Sequence, residues 1–105
     1  MLVTERLNYF IEQYTKLDPL LGPALKYNRL AIRNQRGRWG SCSSKKNLNF
    51  NYRILKLSPE LRDYIIVHEI AHLKELHHGK SFWDLVERMI PNAQELNHQS
   101  KHIAM

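Results

Sequence analysis

Cysteine is nearly missing from this 105-residue chain: Cys42 is the only one. An intrachain disulfide is therefore impossible, and a cysteine-based zinc site is excluded. A lone thiol suits a reducing compartment, and its ordinary role is that of a small buried apolar residue. Long apolar runs are lacking too; none approaches the roughly 18 residues that a membrane span needs. The opening stretch, MLVTERLNYF, has no basic region, no long apolar segment and no small-residue cleavage site. No secretory signal is expected, and a cytoplasmic location is. Internal repeats and low-complexity segments are absent. So are a Gly-rich phosphate loop of the P-loop kind and any nucleic-acid-binding motif.

What is there reads as one soluble globular domain over residues 1–105. The chain is 43% hydrophobic and 25% charged, which is ordinary for such a domain. Its length suffices for one core and no second one. The formal net charge is +6. Basic residues are densest from 26 to 56: Lys26, Arg29, Arg33, Arg36, Arg38, Lys45, Lys46, Arg53 and Lys56. Without a nucleic-acid motif they read as a solvated basic face, and nucleic acid is not an expected partner.

The periodicities give an element order. Leu7, Phe10, Ile11, Tyr14 and Leu17 recur at helical spacing and predict a helix over about 4–17. Asp18-Pro19 stops it. Residues 29–35 read as a short strand, and a brief second strand is expected near 39–43. Over 47–57, Leu48, Phe50, Tyr52 and Ile54 alternate with Asn49, Asn51, Arg53 and Leu55, the pattern of a half-buried strand. Ser58-Pro59 then opens a helix, serine as N-cap and proline in the first turn. That helix is expected to run to about Leu76. Ser81 with Asp84 resembles a capping box for a helix over about 82–90. Asn92 with Glu95 suits the start of a last short helix. The expected class is α+β, with a small, about three-stranded antiparallel sheet. It packs on the N-terminal helix and the helix after Ser58, and one or two C-terminal helices and a tail follow.

Chemistry concentrates in His68-Glu69-Ile70-Ala71-His72. Residues four apart share a helix face, so His68 and His72 can bind one metal ion. Glu69 stands beside the first ligand, where it can reach water on the metal and act as general base. A catalytic zinc uses three protein ligands and keeps one position open. Histidines follow at once at 77 and 78. His78 is the preferred third ligand, with His77 and Glu87 as alternatives; Glu87 otherwise orients a ligand histidine or is surface charge. Three imidazoles suit zinc, though copper, nickel and cobalt bind such sites too.

At these residues a family pattern is met. The chain resembles the minimal zinc metallopeptidases called minigluzincins and the related YgjP-type metal-dependent hydrolases. The matching stretches are Arg38-Trp39-Gly40-Ser41-Cys42-Ser43, Asn47-Leu48-Asn49-Phe50-Asn51, His68-Glu69-Ile70-Ala71-His72-Leu73 and His78-Gly79-Lys80-Ser81-Phe82-Trp83. The resemblance implies a histidine as third ligand, aligned with His78. It also implies a small sheet above the active-site helix, with one strand lining the cleft. Some minigluzincins are kept latent by their own C-terminal segment, here about 92–105. That segment would cover the cleft within one chain or by exchange in a dimer.

Peptide hydrolysis is the leading expectation, with a peptide or protein paired along an exposed strand edge. Tyr52, Arg53, Asn49 and His77 are candidate donors to substrate or oxyanion. Trp39 is expected in the core or as a cleft wall, with Gly40 allowing close backbone approach. Phe82 and Trp83 are expected to pack the following helix on the histidine helix. Two rival readings stand beside this one. The first is a metal-dependent nucleotide phosphohydrolase, an activity attributed to some YgjP-type relatives and compatible with the basic middle. The second is a catalytically silent, metal-stabilised interaction module, with His98 or His102 as a fourth ligand.

Overall fold

A computed structural model describes residues 2–34 and 37–103 of the chain. The first helix, α1 (Leu2–Leu17), buries Val3, Leu7, Phe10 and Tyr14 on one stripe. Leu17, expected on that face, is exposed. Tyr14 ties the stripe across the core by donating its hydroxyl proton to the Leu85 carbonyl at 2.6 Å. A single 3-10 turn, Gly22–Leu25, then leads to β1 (Arg29–Arg33). β2 (Gly40–Cys42) and β3 (Asn47–Asn51) follow. Gln35 and Arg36, which belonged to the expected first strand and to the basic stretch, lie outside the described residues.

The sheet order is β1-β3-β2. β2 and β3 form an antiparallel hairpin pairing Gly40 with Phe50 and Cys42 with Leu48. Its turn closes with Ser43 and Asn47 bonded across, and Lys46 adopts a positive φ of 65°. β1 runs parallel to β3, Arg29 beside Asn47 and Arg33 beside Asn51. The sheet is therefore mixed rather than purely antiparallel. Alternation along a strand records which face is buried; it carries no signal for the direction of a neighbouring strand.

β3 also stops earlier than its alternation predicts. Residues Tyr52–Lys56 form a 3-10 turn. Asn51 causes this: its side-chain oxygen accepts from the Arg53 N–H at 2.9 Å, and its amide donates to the Arg38 carbonyl at 3.2 Å. An asparagine that captures the backbone two residues on offers an alternative to the strand ladder. Ile54 stays buried while Tyr52 and Leu55 face solvent.

α2 (Pro59–His72) begins as expected, with the Ser58 hydroxyl accepting from the Leu61 N–H and proline in the first turn. It packs against α1, β2, α3 (Lys80–Met89) and α4 (Ala93–Lys101). Leu61, Tyr64, Ile65, Ile66, Val67, Ile70 and Ala71 are all buried, so α2 is the central helix of the core rather than a surface one. It ends at His72, short of Leu76. The Leu73 and Lys74 N–H groups bond three residues back, a tightening that closes a helix. α3 starts at Lys80, so Ser81 lies inside its first turn and caps nothing. Gly79 holds the cap position, and Asp84 instead pairs with Lys80 at 2.9 Å. Asn92 occupies the cap position of α4 without a side-chain capping bond. No helix among the described residues is long and apolar enough to cross a membrane.

Candidate metal centre

α2 carries His68 and His72 one turn apart, and the tight turn after it brings the chain back at His78. The three Nε2 atoms converge. His72 lies 2.9 Å from His78 and 3.2 Å from His68, and His68 lies 3.3 Å from His78. His72 donates Nδ1–H to the Glu75 carbonyl at 2.9 Å, because a carbonyl can only accept. Its Nε2 lone pair is therefore bare and faces the other two rings. Such a cluster of lone pairs invites a cation, and the three residues can hold one metal ion.

Beneath the cluster lies Phe82, fully buried on α3. Its ring centroid is 5.0, 4.6 and 4.8 Å from those of His68, His72 and His78. One aromatic plate thus positions all three imidazoles, and the expected packing of α3 on the histidine helix takes this form. Burial first, and the other two histidines next, push the His68 pKa down to about 3. Burial lowers that of His72 as well. Both rings are neutral at neutral pH, the state a metal ligand needs.

Glu69 points from α2 toward β2. It is 5% exposed, and its Oε1 has no hydrogen-bond partner among the described residues. Burial raises its pKa to about 8, with the positive charge of Arg38 pulling the other way. Gly40 makes this placement possible. A Cβ there would meet Glu69 Cγ at 3.1 Å, the Asn49 carbonyl at 3.2 Å and Phe50 at 3.2 Å. The strand approaches the carboxylate only because residue 40 has no side chain.

A hollow of about 140 Å³ opens over these groups, lined by Trp39, Gly40, Tyr64, Ile65, His68, Glu69, Asn97 and Ser100. Trp39 is a wall of it, and its indole N–H donates to the Ser100 carbonyl at 3.3 Å. The Cys42 thiol is pushed up to about 11, chiefly by burial, and so is no nucleophile at neutral pH.

Other candidate residues stand elsewhere. Asn49 lines a separate hollow with Arg29, Leu30 and Arg33. Arg53 stacks on Tyr52 and donates to Asn34 Oδ1 at 2.8 Å. His77 is exposed beside His78 in the chain. Glu87 accepts from Gln94 at 3.5 Å on the surface. His98 and His102 are exposed and face each other, ring centroids 4.5 Å apart. Tyr64, Asn97 and Arg38 escaped the sequence analysis as site residues. Tyr64 had a usable signal, since it precedes His68 by four residues on the same helix. Asn97, from α4, had none.

Residues 2–102 match the family model described as YgjP-like, metallopeptidase domain. The crystal structure of the metallopeptidase zymogen abylysin from Pyrococcus abyssi is similar at a TM-score of 0.66 and 25% identity, covering 90% of each chain. That of the zymogen jannalysin from Methanocaldococcus jannaschii shares the fold at a TM-score of 0.68 and 24% identity, covering 96% of this chain and 97% of that one. No curated protein matches.

Proposed function

The chain belongs to the YgjP-like metallopeptidase-domain family, and from that premise we propose that it is a zinc-dependent peptidase of the HExxH class. His68, His72 and His78 hold the ion and Glu69 is the general base. The observation that carries this is the convergence of three imidazole Nε2 atoms within 3.3 Å of one another beside a buried, unpartnered carboxylate. Zinc would supply a Lewis acid there, polarising the scissile carbonyl and making water acidic enough to give up a proton near neutral pH. Glu69 takes that proton and hands it to the leaving amine. β2 is an edge strand, so its outward N–H and C=O groups are open to an extended peptide running past Glu69. Among the candidate oxyanion donors, His77 is the one next to a site histidine in the chain.

The substrate class has a direct test. Zinc-loaded protein is expected to cleave casein and to leave nucleoside triphosphates intact. Phosphate release without any peptide cleavage would replace the peptidase reading with the phosphohydrolase one. Neither activity in the fully zinc-loaded chain, nor in a zinc-loaded variant whose C-terminal segment is loosened at Trp39, would favour the silent module.

The C-terminal segment makes the same site a latent one. Its last two residues lie outside the described part, but α4 supplies Asn97 and Ser100 to the wall of the hollow. The hollow holds about 140 Å³, whereas ligand sites commonly offer about 300–1,000 Å³. An extended peptide on β2 therefore requires α4 to give way. Exchange of α4 between two chains would keep the same contacts in a dimer. Truncation near Pro91 is a poor test of latency, because Ala93 and Leu96 are buried core, and loss of a buried leucine alone costs about 2–5 kcal/mol. Trp39→Phe is milder: it removes the hydrogen bond to Ser100 and trims the indole to a smaller aromatic ring in the same wall. Such a bond contributes about 1 kcal/mol, or roughly fivefold in the open population. Casein cleavage by Trp39→Phe is expected to rise about fivefold at unchanged zinc content. A rate equal to wild type would show that this contact does not hold the segment shut.

A further inference from the structure

α4 reaches the metal centre by a second route, through the back of His68. The Tyr64 hydroxyl lies 3.0 Å from His68 Nδ1 and donates to Asn97 Oδ1, also at 3.0 Å. A phenol has one proton. Once that proton is committed to Asn97, the oxygen can only accept from His68. The imidazole must then carry its proton on Nδ1, which leaves Nε2 bare and directed at His72 and His78. The three groups come from different parts of the chain. Tyr64 and His68 are one turn apart on α2, while Asn97 is 33 residues further on. Tyr64 is 1% exposed and packs edge-on against the His68 ring at 5.7 Å, so the hydroxyl has little freedom to seek another partner.

We propose that Asn97 is a positioning residue for the metal centre: through Tyr64 it fixes the tautomer and orientation of His68. Docking of α4 and binding of the metal are thereby one coupled equilibrium. This inference rests on the assignment of His68 as a ligand. It gives α4 two roles. The helix restricts the hollow, and it also holds a ligand ready. Without Asn97, the Tyr64 proton is free to go to His68 Nδ1. The ring then carries its proton on Nε2, where no metal can be bound until it moves. A motion of α4 that opens the cleft breaks the bond at Asn97 and so loosens the metal. By linkage, bound metal favours docked α4 to the same degree. Groups that orient a ligand histidine are typically worth about 10- to 100-fold in metal affinity.

The test uses the full-length chain with Asn97→Ala and the conservative Asn97→Asp, whose carboxylate still accepts from Tyr64. Long-range ¹H–¹⁵N correlation spectra of metal-free protein read the His68 tautomer. Competition against a chromophoric chelator reads zinc affinity. Wild type is expected to show His68 protonated on Nδ1. Asn97→Ala is expected to shift it toward Nε2–H and to weaken zinc at least tenfold, while Asn97→Asp keeps the wild-type tautomer and lies within threefold of its affinity. A merely structural role for Asn97 would leave the tautomer alone. If Asn97→Ala keeps both the Nδ1–H tautomer and wild-type zinc affinity, the inference is overturned. If Tyr64→Phe weakens zinc and Asn97→Ala does not, α4 has no part in the centre, which overturns it equally. Should wild type bind no zinc at all, the peptidase assignment fails, and the tautomer spectra still decide what Asn97 does to His68.

Discussion

Glu69→Gln is expected to lower kcat for peptide cleavage by on the order of 10²–10⁴-fold while one zinc per chain is retained. The substitution keeps the shape of the side chain, which matters because Cγ sits close against Gly40 of β2. It removes only the ability to take and return a proton. None of the three converging imidazoles is altered, so metal content separates a lost base from a lost site. A variant keeping more than a tenth of wild-type turnover would place the base elsewhere. Stability offers a second readout with a defined sign. In the metal-free fold the Glu69 carboxyl titrates at about 8 instead of its ordinary 4.5. Between those values the folded chain holds a proton that the unfolded chain has released, so wild-type stability falls as pH rises. Glutamine cannot titrate. Metal-free Glu69→Gln should therefore gain on wild type steadily from about pH 4.5 to pH 8, and denaturant midpoints at several pH values would show the gap widening. A constant gap would mean that burial does not penalise the carboxylate.

Why Glu69 and its two histidines were legible is a matter of range. His68 and His72 share a face because of helix geometry alone, and Ser58-Pro59 marks where that helix begins. Buried leucines and isoleucines along 61–73 make the helix certain to be packed. Gly40 was readable too, since a glycine inside a strand pattern signals close approach. Direction and polar contact at long range were not. Nothing in the residues 29–33 says that they run parallel to β3. Alternation through Tyr52 and Ile54 continued the strand past Asn51, whose side chain diverts the backbone. Ser81 and Asp84 had the letters of a capping box, but α3 begins before them, with Lys80 taking Asp84 as partner. Asn97 is a single polar residue on a short helix, and only the folded chain brings it to Tyr64. The plate formed by Phe82 under all three imidazoles is a tertiary fact of the same kind: its position after His78 was visible, its contact with each ring was not.

His78→Ala is the variant in which the third ligand is decided. Structural zinc sites with four ligands bind with about 10–16 kcal/mol, or roughly 3 kcal/mol and more for each ligand. Loss of one of three imidazoles should thus weaken zinc by on the order of 10²–10³-fold. His77→Ala should leave affinity and stoichiometry at wild type, as should Glu87→Ala, whose carboxylate is engaged with Gln94 on the surface. The contrast is sharp because His77 and His78 are adjacent, so non-specific damage to the loop would strike both variants alike. Rigidity of the site makes the measurement clean. Phe82 holds each ring about 5 Å from its own centroid, and His72 is anchored on the Glu75 carbonyl. His68 and His72 are thus held by protein contacts that do not involve His78, so truncating His78 removes one ligand and keeps the supports of the other two. Thermal unfolding with and without zinc reads the same difference. An ion present at 100 times its Kd stabilises the fold by about 2.7 kcal/mol, and a Kd weakened 10²-fold at that concentration leaves about 0.4 kcal/mol. Nearly all of the zinc-dependent rise in Tm should vanish in His78→Ala and persist in His77→Ala. Full zinc binding by His78→Ala with loss in His77→Ala would exchange the two residues, and the turn after α2 would have to be redrawn around His77.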